Sequence, residues 1–507
     1  MLRSTSYLGL CLVCTYGTPV ADMLVYSPPL PLVIDYQGAD ITAEDEEAII
    51  LALEQRERVR RIRFNIPVLK LQKLIMAIDG EYPILEYLIL VDLPEEKRTV
   101  LTLPGTLQTP HLRHLAIDCS IPIRFQLLTT AVGLVTLNLG LHNPSTYFQP
   151  TVLLQSLSLM PQLEILVIFF RFPVPNRDVE RQLMRTPITT HVTLSNLRTF
   201  GLQAVSAYSE AVLSRITASR LEIFQICYPK QITFSVPQLL QFMGRIENLR
   251  FDRADFEFLG DRVFVVVHPP ETNIMPMHSF SMNVDCWHLD WQVSSVAQIF
   301  KALSQIFSVV EHLTLVHKVH SRSSEEHNEV DRTEWRKLLR SFSNVKTLRI
   351  EDGLVNELSR CLRLEDGEHP LELLPELQEL IHSESDNTNN AFASFIDARR
   401  NAGRPVTQES HFESLLAMRF SEWLGGKIPH NREGVKNWLR EKGIFMSPSS
   451  QASLVPGLQQ PVSVPLIIPQ SRSTDSSRSN GSRSRNNSIM DRAIITDSST
   501  TGRAERA

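Results

Sequence analysis

Cysteine is scarce in this sequence. The six, Cys11, Cys14, Cys119, Cys227, Cys286 and Cys361, are scattered over 507 residues. This is not the dense pattern of a small disulfide-stapled secreted domain, and it points to a reducing, intracellular setting, cytoplasmic or nuclear. A dominant charge is also missing. The formal net charge is -5, which leaves no electrostatic footprint of a dedicated nucleic-acid binder, so no nucleic-acid partner is expected. No apolar run reaches the roughly 20 residues that span a bilayer, so no membrane partner is expected either. Arg3 followed by the apolar run from Tyr7 to Cys14 imitates a secretory signal without its charge and cleavage-site pattern.

The signatures of catalysis are absent as well. Gly425-Gly426-Lys427 lacks the upstream glycine and the following Ser or Thr of a phosphate-cradling loop. There is no GxSxG nucleophile elbow. Cys11 and Cys14 have half-zinc or redox spacing but no second pair at a matching distance, so ordinary thiols are expected. His312, His317, His320 and His327 cluster without the HExxH spacing of a catalytic zinc site. Asp285, Trp287, His288, Asp290 and Trp291 read as a loop packed on the edge of the fold. The run Arg56, Arg58, Arg60, Arg61 and Arg63 reads as a solvated face. The expectation is therefore a protein that is not an enzyme, with no cofactor and no metal.

What the chain does have is ample apolar material, 43% hydrophobic against 21% charged, and one recurring pattern, apolar-x-x-apolar-x-apolar. It first occurs at Val59, Ile62, Phe64. It returns at Leu85, Leu88, Leu90, then Leu112, Leu115, Ile117, then Leu134, Leu137, Leu139, then Leu163, Leu166, Ile168. Leu197, Phe200, Leu202 and Leu221, Phe224, Ile226 follow. Looser copies are Ile246, Leu249, Phe251, then Met277, Phe280, Met282, then Val310, Leu313, Leu315, then Val345, Leu348, Ile350, with a partial copy at Leu377 and Leu380. The intervals, roughly 22 to 35 residues, match the leucine-rich-repeat length at their lower end and exceed it at their upper end. The last two apolar residues of each copy alternate on a short inward-facing strand, and the first anchors the turn into it. One such unit cannot bury its own apolar face, so neighbours must stack.

The segments between copies carry helical spacing, as in Val68, Leu71, Ile75 and Ile78, or Val296, Ile299, Phe300, Leu303 and Phe307. Pro83, Pro110 and Pro161 stand where a helix ends and a strand begins. The expected fold class is α/β: an irregular leucine-rich-repeat-like solenoid, a horseshoe of stacked parallel strands and helices, with a disordered C-terminal tail. The expected boundaries are an N-terminal lead-in at 1–25, the repeat array at 26–408, a short helical extension at 409–446 and the tail at 447–507. The extension reads as two helices, His411 to Trp423 and Arg432 to Lys442. The tail, rich in Ser, Pro, Gln, Arg and Asn, cannot bury enough surface to fold, and carries a basic-directed phosphorylation site at Ser488.

If the triplets face inward, the residues alternating with them form a concave protein-binding face. Its candidates are Tyr87, Ile89, His114, Ala116, Thr136, Asn138, Ile165, Val167, Gln225, Asn248, Arg250, Ser281, His312, Thr314, Thr347 and Arg349. The expected partner is an unidentified protein.

Two stretches go beyond periodicity. Leu12-Val13-Cys14-Thr15-Tyr16-Gly17-Thr18-Pro19-Val20 with Ser27-Pro28-Pro29-Leu30-Pro31-Leu32-Val33-Ile34 resembles the segment downstream of the F-box in the F-box/leucine-rich-repeat-like family of mushroom-forming fungi. Leu373 to Leu380, with Ala391 to Val406, resembles that family's closing unit, in which a last helix breaks at Gly403 and a Pro405-Val406 strand follows. With the repeats between, the resemblance covers about residues 10 to 407. It implies a substrate-recognition role in a cullin-based ubiquitin ligase, joined through a Skp-type adaptor. No F-box is legible before Leu12, so the adaptor has no visible docking element. Where regular repeats place Asn or Cys after the strand, this chain has Leu93, Ser120, His142 and Arg171, which implies a loosely wound array. The other reading is a free-standing repeat-only interaction or structural protein with no ubiquitin role.

Overall fold

In a strand, successive side chains point to opposite faces, so a segment that alternates apolar and polar residues can seal one face and leave the other open. The computed structural model describes residues 11–93, 103–119, 125–142, 147–171, 188–249, 251–269, 279–318, 331–364, 367–382 and 391–410. All belong to the first of two units, Met1–Trp438; the second, Leu439–Ala507, lies outside the described residues. So do the expected helices at 411–423 and 432–442, the tail, Arg250, Met277, Ser120, His320 and His327.

The strands are β1 (Leu12–Cys14), β2 (Leu32–Gln37), β3 (Val59–Pro67), β4 (Tyr87–Leu93), β5 (His114–Cys119), β6 (Thr136–Leu141), β7 (Ile165–Phe170), β8 (Val192–Thr193), β9 (Thr199–Gln203), β10 (Ile216–Thr217) and β11 (Ile223–Tyr228). They continue with β12 (Arg253–Phe258), β13 (Arg262–His268), β14 (Phe280–Asp285), β15 (His312–His317), β16 (Thr347–Ile350), β17 (Glu379–His382) and β18 (Thr407–Ser410). Sixteen of them form one sheet in the order β1 to β7, β9, β11, β14, β13, β12, β15 to β18, while β8 and β10 pair with each other. All pairs in the large sheet are parallel except β12–β13 and β13–β14. The protein is thus a mixed α/β structure around a large, mostly parallel sheet.

The register explains the apolar pattern. Leu88 stands opposite Leu115, then Leu137, Leu166, Phe200, Phe224 and Phe280. A second row holds Leu90, Ile117, Leu139, Ile168, Leu202, Ile226 and Met282. All are buried. Each such side chain contributes about 1.5–3 kcal/mol on burial, and a one-residue slip would turn the whole set outward. That double constraint fixes the register.

The helices connecting these strands cover the sealed face. They are α1 (Val20–Tyr26), α2 (Ala43–Leu53), α3 (Val68–Ala77), α4 (Phe125–Thr130), α5 (Pro150–Leu157), α6 (Ser206–Leu213) and α7 (Pro237–Met243), followed by α8 (Leu289–Ala302), α9 (Ser304–Phe307), α10 (Arg332–Leu339), α11 (Val355–Leu362) and α12 (Ala393–Asn401). Those close in sequence pack side by side, α2 on α3, α5 on α6, α6 on α7, α10 on α11. In α3 the buried residues Val68, Leu71, Leu74 and Ile75 share one helical stripe, while Leu69 and Met76 face outward. α2 starts on a capping box: Asp45 N–H donates to Thr42 Oγ1 and Thr42 N–H donates to Asp45 Oδ2, both at 3.1 Å. Asp45 Oδ1 also accepts from Gly17 N–H at 3.2 Å, where Gly17 has φ +67°. This bond anchors the turn after β1. Residues 12–14 of the expected lead-in therefore form a strand of the main sheet. No helix among the described residues is long and apolar enough to cross a membrane.

One expected repeat is corrected. Ile246, Leu249 and Phe251 do not form a strand; they follow α7 in a turn, and the strand begins at Arg253 with Ala254, Phe256 and Phe258 buried. β12 then pairs with β13, not with β11, through a short connection in which Leu259 N–H donates to Arg262 O at 2.8 Å. The β-branched run Val265-Val266-Val267 makes β13 a strong strand, and a connection this short permits only antiparallel pairing. The resulting meander places β14 beside β11 and β12 beside β15.

Candidate protein-interaction face

The residues that alternate with the sealed rows lie on the other face of the sheet, and the register arranges them in rows. The first row runs Arg61, Tyr87, His114, Thr136, Ile165, Thr199, Ile223. The middle row runs Asp35, Arg63, Ile89, Ala116, Asn138, Val167, Gly201, Gln225, Ser281, Val266, Asp255, Thr314, Arg349, Ile381. The third includes Asn65, Val91, Asp118, Gly140, Phe169, Gln203, Cys227, Asn283 and Phe264.

The structure therefore brings Tyr87, Ile89, His114, Ala116, Thr136, Asn138, Ile165, Val167, Gln225, Thr314 and Arg349 onto one face, with His312 and Thr347 paired beside them. Two candidates depart from this. Asn248 is exposed, but in the turn after α7, because the strand expected there begins later. Ser281 lies in the middle row but is buried, a small side chain between Gln225 and Val266. Arg250 lies outside the described residues.

The first row is tied together laterally. The Arg61 guanidinium lies 5.4 Å from the Tyr87 ring centroid. Tyr87 stacks on His114 at 4.2 Å with 6° between the planes, and His114 Nδ1 is 3.1 Å from Thr136 Oγ1. Burial, and then the Arg113 charge, lower the His114 imidazole below its ordinary value, so the stack is neutral at pH 7.

In the third row, Asp118 Oδ1 is 2.8 Å from His142 Nε2, and Asp118 Oδ2 accepts from Arg171 at 3.1 Å. The His142 hydrogen bond and then the Arg171 charge hold the Asp118 carboxyl below the usual range, against the opposing effect of burial. This contact needs Gly140, since a Cβ there would stand 1.9 Å from Asp118 Oδ1. The β12–β16 end is more charged. His268 pairs with Asp255 at 3.0 Å, Lys318 with Glu257, and Arg349 with Glu351 at 3.4 Å.

Sequence reasoning missed Arg61, Arg63, Asp118, Phe169, Val266 and Asp255 as members of this face. Asp118 and Phe169 follow from extending the same alternation by one more step, whereas Val266 and Asp255 join only through the meander.

Other chemistry is limited. Ligand atoms of Asp252, Glu311 and His312 lie within 4.8 Å of one another, the only such grouping among the described residues, but Glu311 is held by Lys346 at 2.7 Å. The His317 ring packs on Gly353. Burial pushes the Cys14 thiol up to about 11, the reverse of what a redox cysteine needs. A groove of about 580 Å³ at the turns before β4 to β7 is lined by Glu86, Arg113, His111 and Glu164 among others. Trp287 and Trp291, expected to pack as a loop, are both exposed, with Trp291 edge-on to His288 at 4.6 Å.

No family model matches the chain, and no curated protein matches it by sequence.

Proposed function

We propose that the chain is a non-enzymatic protein-binding scaffold. In this reading the sheet is an irregular leucine-rich-repeat-like solenoid whose open strand face holds a segment of another polypeptide. One observation carries it: nearly the whole sheet follows chain order in register, with one face sealed by helices and the other, among the described residues, left as continuous rows of mixed aromatic, aliphatic, polar and charged side chains. Such a mixed, partly aromatic and arginine-bearing surface suits protein recognition. The proposed setting, on the resemblance at 12–34 and 373–406, is substrate recognition in a cullin-based ubiquitin ligase.

The two parts are tested separately. A photo-reactive phenylalanine analogue placed at Asn138 or Val167 cross-links a discrete polypeptide, and one placed at Leu69 or Met76 on the helix side does not. Equal adducts from both sides overturn the assignment of the face. Co-precipitation with a Skp-type adaptor and cullin supports the ligase setting; its absence leaves a free-standing interaction protein.

A further inference from the structure

Arg61 and Arg63 project from the same face of β3, two residues apart, and neither is matched to a carboxylate among the described residues. Arg61 Nε is buried without a hydrogen-bond partner, while its guanidinium is held over Tyr87. Asp35 stands opposite Arg63 across the strand pair, but its Oδ1 accepts from Gln37 Nε2 at 2.9 Å. Other arginines of the same run are engaged: Arg58 donates to Leu30 O and Pro28 O, and Arg60 pairs with Glu86 at 2.9 Å. Among the described residues the structure thus holds two guanidinium forks on one face of β3 with no ion-pair partner, that of Arg61 set over Tyr87.

Beside them the middle row changes character. From Ile89 to Val266 it contains no charged residue, and charge returns only at Asp255. Near its centre, Gly201 leaves a gap into which the Val167 methyls lean, 3.3 Å from where a Cβ would be. A ligand along this row meets guanidinium groups first and then an aliphatic floor.

We infer that this end of the face takes an extended segment of a partner polypeptide that places an acidic side chain on Arg61 and Arg63 and an apolar side chain over Val167. The inference rests on the scaffold reading above and specifies the partner's chemistry. Charge complementarity chooses the acid: paired guanidinium forks bind a carboxylate with two parallel hydrogen bonds. The uncharged row disfavours a polyanion, which would need continued positive charge along its path. Spacing follows from geometry. Four strand-to-strand steps from β3 to β7 span about 19 Å, or about six residues of extended chain, so acid and apolar anchor stand about six positions apart.

The experiment is selection of a random twelve-residue peptide library on the whole chain, followed by titration of one selected synthetic peptide. The expected peptides carry Asp or Glu with an apolar residue about six positions away. The double variant Arg61→Gln/Arg63→Gln weakens the synthetic peptide about tenfold or more. Replacing the peptide's acid by its amide gives the same loss on the native chain and little further loss on the variant. Because Arg61 also stacks on Tyr87, the single variant Arg63→Gln repeats the measurement with that stack untouched, and shows part of the same coupling. An acid-to-amide loss equal on native and variant chains, selected peptides without acidic residues, or no selected peptide overturns the inference. A peptide insensitive to both arginines yet displaced by Val167→Asp sinks the acid subsite alone. A peptide insensitive to Val167→Asp as well sinks the face reading with it.

Discussion

Arg399 Nη2 donates to the carbonyl oxygen of Leu377 at 2.8 Å, joining α12 to the turn that leads into β17. The same side chain reaches Leu374 O and Pro375 O, each at 3.1 Å, and its guanidinium lies 6.0 Å from the Phe395 ring centroid. It is fully buried. The charge is compensated by backbone dipoles, and Leu374 O also accepts from Leu377 N–H at 3.1 Å, which closes the turn.

Replacing Arg399 by Ala removes these bonds and leaves buried acceptors unmatched, at about 3 kcal/mol. Arg399→Lys restores a charge but not the planar fork, and recovers only part of the loss. Urea unfolding of the two variants checks this. Equal stability of the Ala and native chains would contradict it.

Gly140→Ala pushes a Cβ into Asp118 and separates that carboxylate from His142 and Arg171. The expected loss is about 1–3 kcal/mol, as for other overpacked sites. In an Asp118→Ala background, where the nearest clashing atoms are gone, the same substitution costs less. Thermal unfolding of the four proteins in the cycle measures the difference. Strict additivity would mean that the clash is relieved elsewhere.

Burial lowers the imidazoles of His114 and His317, although a hydrogen bond to the Gly353 backbone acts in the opposite direction on His317. In the unfolded chain both return to about 6.5, so as pH falls the unfolded state takes up protons first. Their contribution to stability is complete above that value and is lost as pH drops through the depressed folded values. Urea midpoints between pH 7.5 and 5.5 should decline less in the double variant His114→Gln/His317→Asn than in the native chain. An unchanged slope would contradict this.

Much of this architecture is legible in the sequence because Leu88, Leu115, Leu137 and Leu166 must all face the core in one register, and a period of two betrays them. Ile246 and Leu249 show the limit. Both are buried, at 6% and 9% exposure, yet they pack in a turn, so spacing reported burial and not strand. β13 escaped because antiparallel insertion breaks the repeat. For the open face, alternation named Tyr87 and His114, but their stacking belongs to the register between two strands, which no single strand encodes. The same holds for Arg61 and Arg63, which read as a solvated charge run until Tyr87 is placed beside them.

The most direct test compares two charge insertions on opposite sides of the sheet. With a partner identified by cross-linking at Val167, its affinity is measured for Val167→Asp on the open face and Met76→Asp on the helix side, both verified as folded. Met76 is 56% exposed, so its substitution leaves the core intact. The account predicts that Val167→Asp weakens binding about tenfold or more while Met76→Asp leaves it within about twofold. Equal effects, or a larger loss from Met76→Asp, would contradict the claim that the open strand face is where this protein holds its partner.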